Sequence, residues 1–201
     1  QKLRLGFFGG VGSVTGANFL LENSHSKILV DCGLIQGYFR DTDPNYDKFE
    51  YNPKEINFLI VTHANADHIG RIGKLIKDSF EGKIISTPAT KDLAELMLED
   101  ALNLMRQRKE DKGIEMMYEE SHLRMALDNW DTVDYHQKKT IGDFEIFFKD
   151  AGHILGSAIV EVVDLDSKKK IVYERISVSC FGNYFSLCSL YFYFILLKKG
   201  R

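Results

Sequence analysis

Along residues 1–173 the apolar positions alternate between short runs and stretches spaced by three and four, a pattern of strands mixed with helices. Leu3 to Phe8 is a short apolar segment closed by Gly9-Gly10, which predicts a strand and a turn. Ala17 to Glu22 and Ile28 to Asp31 predict two further strands around the polar turn Asn23-Ser24-His25-Ser26. Phe58 to Val61 is continuously apolar, as expected of a strand buried on both faces. Ile69, Ile72, Leu75 and Ile76 then follow helical spacing up to Lys77, and Lys83 to Ser86 predicts another strand. Thr87-Pro88 supplies an N-cap and a first helical residue without an amide hydrogen to leave unpaired. Leu93, Leu96, Met97, Ala101 and Leu104 share one face of the long helix that follows, which should end by Gly113. A shorter helix carries Leu123, Ala126, Leu127 and Trp130 on one side. Val133 to His136, Phe144 to Phe148, Ala158 to Val163 and Lys170 to Tyr173 complete the expected strands, and the order lacks the regular alternation of a doubly wound sheet.

The chain has 201 residues, enough for one sizeable core, and its apolar and charged fractions exclude a disordered or collagen-like protein. A net charge of -3 gives no support to a basic nucleic-acid-binding arm. Cys32, Cys180 and Cys188 form neither a C-x-x-C pair nor a disulfide framework, so a reducing, cytoplasmic setting is expected, and no signal peptide is read at the start. The charge is unevenly distributed: residues 174–201 sum to +3 and residues 1–173 to -6. The sequence therefore divides into a body, 1–173, and an apolar aromatic tail, 174–201. Ile176 to Leu197 carries no charge and approaches the roughly 20 apolar residues of a membrane helix. Ser177, Ser179, Asn183, Ser186 and Ser189 interrupt it.

Gly9 to Gly16 (GGVGSVTG) matches neither the phosphate-loop pattern nor the dinucleotide pattern, and reads as a tight connecting loop where backbone passes close to a neighbour. No nucleophile elbow is present. The informative segment is Val61 to Gly70, VTHANADHIG, which places His63, Asp67 and His68 between a buried strand and a helix. Imidazole and carboxylate are ligands that zinc accepts, and carboxylate charge helps a pair of divalent ions to sit close together. One loop cannot enclose a metal, and His153 in DAGHILGSA, a second strand-to-strand loop, is the candidate for a distant ligand. His25, His122 and His136 read as ordinary turn, helix-start and strand-end residues.

With these motifs the sequence resembles the metallo-β-lactamase-fold hydrolases. The six positions His63-Ala64-Asn65-Ala66-Asp67-His68 are similar to that family's H-x-H-x-D-H, and Val30-Asp31-Cys32-Gly33 to its earlier motif, whose aspartate orients the histidine loop. Asp150 to Ala158, the opening glycine loop and the helix pair from Pro88 to Trp130 resemble the RNA-processing, β-CASP branch. The resemblance implies an α/β (α+β) fold, the N-terminal half of an αββα sandwich. It also implies two zinc ions, with His63 and His153 at the first and Asp67 and His68 at the second. Asp67 and His68 would also serve catalysis, Asp31 would orient the histidines, and the substrate would be single-stranded RNA cut at its phosphodiester bonds. Asn65 stands where the family has a histidine ligand, which leaves a weaker oxygen donor there. After Tyr173, where the family has a glycine-bounded aspartate, this chain reads Glu174-Arg-Ile-Ser-Val-Ser-Cys180.

Three readings of the tail follow. The first is interruption of the family sequence near Tyr173 by truncation or a change of frame; a membrane anchor flanked by Lys198-Lys199 and an extra pair of core strands come after it. For function, the RNA-processing hydrolase competes with a catalytically silent fragment or scaffold, and with a glyoxalase-type small-molecule hydrolase. No strong basic patch supports the nucleic-acid reading independently: Arg106-Gln-Arg108-Lys109 and Lys168-Lys-Lys170 are more simply solvated surface.

Overall fold

The computed structural model describes residues 3–37, 43–175 and 192–198 of the protein. Two sheets stack face to face, and helices cover the outer face of the first. That sheet runs in the order β1 (Arg4–Phe7), β2 (Phe19–Glu22), β3 (Lys27–Val30), β4 (Phe58–Ile60), β5 (Lys83–Ser86) and β6 (Trp130–Thr132). β1, β2 and β3 pair antiparallel, whereas β3 through β6 are parallel, so the sheet is mixed. The second sheet is antiparallel and consists of β7 (Lys138–Ile141), β8 (Phe144–Asp150), β9 (Ala158–Asp164), β10 (Lys169–Arg175) and β11 (Phe192–Lys198).

The two-residue period of a strand sorts the apolar residues into two cores. Leu29, Leu59 and Ile84 point toward α1 (Ala66–Ile69), α2 (Ile72–Lys77), α3 (Pro88–Lys112) and α4 (Glu120–Asp128), where they meet Ile72, Leu75, Leu98 and Leu123. Their neighbours Ile28, Val30, Ile60 and Ile85 point the other way, against Phe144, Ile146, Phe148, Val160 and Val162 of the second sheet. Residues such as these, fully removed from water, each contribute about 1.5–3 kcal/mol. The three layers are those expected of the N-terminal half of the sandwich.

Local chemistry explains the element ends. Thr87 accepts a hydrogen bond from the Thr90 amide at the start of α3, and Gly113 ends the helix in the left-handed region at φ 65°. His122 accepts from the Glu119 amide in a reciprocal cap of α4, which agrees with an ordinary role for that histidine. The expected single helix from Ile69 to Lys77 is broken at Gly70-Arg71, where Arg71 turns back to bond the chain near Cys32. Trp130, expected on a helix face, instead begins β6: the helix stops at Asn129, and Trp130 pairs with Ile84 while its indole donates to Ser86 Oγ at 2.9 Å. Val133 to His136 is correspondingly not a strand, and His136 lies in a turn at φ 62°. β7 was not evident in the sequence, because KKTI buries only Ile141 and shows no alternation.

β11 pairs with β10 along its length, Lys169 opposite Lys198. The interruption proposed near Tyr173 and most of the tail fall outside the described residues. Among the described residues, no helix is long and apolar enough to cross a membrane.

Candidate metal centre

Asp31 organises the site. It directly follows β3, is fully buried, and adopts φ 60°, a left-handed conformation that is uncommon for a non-glycine residue. That backbone turn aims its carboxylate at the segment after β4. Oδ1 accepts from the Thr62 amide at 2.8 Å, and Oδ2 accepts from the Thr62 hydroxyl at 2.8 Å and from His68 Nδ1 at 2.7 Å. The loop itself is held by backbone bonds: the Cys32 amide donates to the His68 carbonyl, Leu34 to Ala66, and Ala17 to Asp67. Arg71 closes the same junction from α2, with Nε donating to the Gly33 carbonyl at 2.6 Å.

This network fixes which nitrogen of each imidazole carries the lone pair. A carboxylate only accepts, so His68 Nδ1 must bear hydrogen and the lone pair of the neutral ring lies on Nε2. Thr62 has one hydroxyl hydrogen, which goes to Asp31, so its oxygen accepts from His63 Nδ1 at 2.9 Å and His63 likewise presents Nε2. On the facing loop, His153 Nε2 lies 3.2 Å from the amide nitrogen of Asn65, an N–H donor, which makes Nε2 the acceptor there too. The tautomers are assigned from the hydrogen bonds. The rings converge, with His63 and His68 centred 3.9 Å apart and His63 and His153 meeting edge to face at 5.0 Å.

The His153 loop is built from the second sheet outward. Ser157 Oγ accepts from the amides of His153 and Ile154 and donates to the Ile154 carbonyl. The hydroxyls of Thr87 and Thr90 lie 2.6 and 2.8 Å from the Gly156 carbonyl, so the start of α3 anchors the loop. A cavity of about 10 Å³, room for about one water, lies between Asp31, His63, His153, Ser157 and Tyr173. Burial pushes the Tyr173 phenol far above its ordinary range and the Cys32 thiol up to about 11. Cys32 is thus an inert core residue and not a nucleophile.

Burial disfavours the charged form of His68, yet Asp31 and then Asp67, whose Oδ2 is 3.4 Å from Nε2, outweigh it and hold the imidazole above its ordinary value. A raised folded-state value contributes stability that is fully present below the unfolded value and is lost as pH rises through the folded one. With a chelator present, urea unfolding should therefore give a higher midpoint at about pH 6 than at about pH 8, and Asp31→Asn should flatten the difference. A difference unaltered by that substitution would refute the coupling.

The structure brings together His63, Asn65, Asp67, His68 and His153, with Asp31 behind them. His25 is exposed in the 23–26 turn, where its amide donates to Asn23. The sequence reading missed Thr62, Gly33, Arg71 and Ser157. Thr62, Gly33 and Ser157 carried a signal in lying within the three motifs, and Arg71 carried none. As a test of fit, His63, Asn65 and His153 offer two imidazoles and a carboxamide, and Asp67 and His68 a carboxylate and one imidazole. Among the described residues, no three His, Cys, Asp or Glu side chains stand together as a metal-binding group. Neither group reaches the three imidazole, thiolate or carboxylate ligands of a catalytic zinc site among the described residues.

The family profile of the metallo-beta-lactamase superfamily domain matches residues 20–176. Ribonuclease TTHA0252 of Thermus thermophilus is 34% identical over 158 residues, 79% of this chain and 34% of that protein. Transcription termination factor FttA of Methanosarcina mazei is 34% identical over 165 residues, 79% of this chain and 25% of its own. Cleavage and polyadenylation specificity factor subunit 3-I of Arabidopsis thaliana is 30% identical over 156 residues, 76% and 22% of the two chains. The chain thus spans about a third or less of the length of these curated relatives. Among solved structures, the metallo-beta-lactamase fold protein YhfI from Bacillus subtilis superposes with a TM-score of 0.51 at 18% identity, covering 86% of this chain and 62% of that one, a likeness of fold. Profile, topology and the His63–His68 loop agree, and the chain belongs to the metallo-beta-lactamase superfamily.

Proposed function

We propose that this chain is part of a metal-dependent RNA-processing phosphodiesterase acting on single-stranded RNA. The observation that carries the metal reading is the convergence of three imidazoles, His63, His68 and His153, with Nδ1 of His63 and of His68 fixed by Thr62 and Asp31. The RNA reading is supported by the relatives, whose names are those of a ribonuclease, a transcription termination factor and a cleavage and polyadenylation subunit. The superfamily implies bound metal ions, for which His63, Asn65, His153, Asp67 and His68 are the candidate ligands and zinc the proposed metal. Bound there, zinc would supply Lewis acidity and lower the pKa of water to about 7. The chain's own part is orientation: Asp31 and Thr62 set the imidazoles, and Ser157 holds the His153 loop. The cysteine spacing, with neither a C-x-x-C pair nor a disulfide framework, supports a reducing, cytoplasmic setting.

A single-stranded RNA oligomer labelled at its 5′ end, incubated with zinc-loaded protein, should be cut. The cut should be lost with chelator and fall by about 100-fold or more in His153→Ala, the loss typical when a group that stabilises the transition state is removed. Zinc binding without cleavage would instead establish the silent-scaffold reading, which Asn65 favours. Turnover of a thioester in place of RNA would establish the glyoxalase-type one.

A further inference from the structure

We propose that the outer face of α3 is an association surface for a second copy of this chain, the two α3 helices packing antiparallel about a two-fold axis at Leu104.

The apolar face that the sequence marks on α3 is not the face the fold buries. Leu93, Leu96, Met97, Ala101 and Leu104 carry the sequence pattern, yet the helix turns Thr90, Ala94, Leu98 and Leu102 into the core. Those four recur every fourth residue, and with 3.6 residues per turn the sequence stripe lies roughly a quarter of a turn away from them. Leu93 and Ala101 are partly covered, while Leu96, Met97 and Leu104 stay 63%, 45% and 48% exposed. One exposed leucine needs no explanation. Several along one side of a helix of 25 residues, about 37 Å long, form a continuous apolar surface of the kind that marks a protein contact.

Charge identifies the occupant. Residues 88–100 of α3 sum to -3 and residues 101–112 to +2. A parallel neighbour would set like charge against like, whereas a copy running the other way sets each half against its opposite. Within the stripe the match holds residue by residue. Asp100 and Arg108 stand four positions before and after Leu104, and so flank it on the same side of the helix. A two-fold axis through Leu104 brings each Asp100 opposite the partner's Arg108, with the two Leu104 side chains meeting between the pairs. A surface complementary to its own two-fold image is what an isologous dimer requires. Both charged residues are exposed, and among the described residues no ion pair engages either of them. The cations beside Arg108 are already committed within the chain, Arg106 to Glu120 at 2.6 Å and Lys109 to Glu115 at 2.9 Å.

Sedimentation velocity of the full chain in chelator, over a concentration series, tests the proposal without metal or RNA. A reversible dimer is expected. Asp100→Arg and Arg108→Asp should each weaken it by about tenfold or more, since each sets like charges opposite one another at two places. The double variant restores both pairs in reverse and should return to within about threefold of the native dissociation constant. Leu104→Glu places two carboxylates together at the axis and should leave the chain monomeric; Met97→Lys, at a second exposed position, should weaken the dimer as well. All of these side chains face water in the single chain, so circular dichroism and Tm should match the native protein and exclude a folding defect. A monomer at every concentration would overturn the proposal. So would a dimer indifferent to both Leu104→Glu and Met97→Lys, which would place the contact elsewhere on the chain. A double variant as weak as the single ones would overturn the antiparallel pairing and the proposal with it.

Discussion

Replacing Gly33 by alanine is expected to destabilise the protein by about 3 kcal/mol or more, one of the two largest effects any single substitution here should have. A Cβ at that position would lie 1.6 Å from the Asp67 carbonyl oxygen, 2.0 Å from its carbon and 2.6 Å from the His68 amide nitrogen. All three are backbone atoms, so no side-chain rotation relieves the overlap. Nor can the two strands of chain separate at little cost. Gly33 donates to Ala17, Ala17 to Asp67, Cys32 to His68 and Leu34 to Ala66, so a shift large enough to admit a methyl group breaks several buried backbone bonds together. For a domain of this size the loss corresponds to a fall in Tm of about 6–12 °C. Thermal unfolding of Gly33→Ala beside the native chain measures it; an unchanged Tm would show that the loops part freely and that their stitching does not hold the centre.

The second effect is that of Asp31→Ala, expected to cost about 3–5 kcal/mol because it removes one partner of a fully buried pair and strands the rest. The Thr62 amide, the Thr62 hydroxyl and the His68 Nδ1 hydrogen all lose their acceptor in a place that water does not reach, and each such orphan costs about 1–3 kcal/mol. The consequence extends to metal binding, because both tautomer assignments on this loop depend on Asp31, directly for His68 and through the threonine hydroxyl for His63. A loss of about 10–100-fold in zinc affinity should accompany the loss of stability. Urea titration and zinc competition on the same sample separate the two. If stability falls while zinc affinity holds, Asp31 supports the fold and does not set the imidazoles.

Much of this was legible in the sequence. His63, Asp67 and His68 were visible because three ligand residues within six positions at a strand exit have no packing explanation, and His153 because it stands between glycines in a second strand-to-strand loop. Burial on both faces was visible in the continuously apolar run Phe58 to Val61. Thr62 was not, since its importance depends on a left-handed turn at Asp31, 31 residues earlier, which no local pattern announces. Gly33 and Arg71 were hidden for the same reason: their roles are contacts between loops distant in the chain. Trp130 misled because Leu123, Ala126 and Leu127 set up a helical period that it happens to continue. Pairing with β5 overrode that period, as tertiary context commonly does. Asn65 was read as a weakened ligand; its bond to His153, and the cap it forgoes, required the facing loop in place.

The 88-residue separation between Asn65 and His153 also bears on how the protein acquires its centre. One loop hangs from the mixed sheet and the other from the antiparallel sheet, so the two side chains meet only after both sheets have formed and stacked. Ligand pairs this remote close late and slowly, since the entropy of a long loop is lost before the contact rewards it. A partly folded chain has no centre to offer. Any ion bound there binds the finished double sheet and not its precursors, and draws the folding equilibrium toward the stacked state by mass action. With the proposed ion bound, occupancy of the seam between the sheets would report on completed folding.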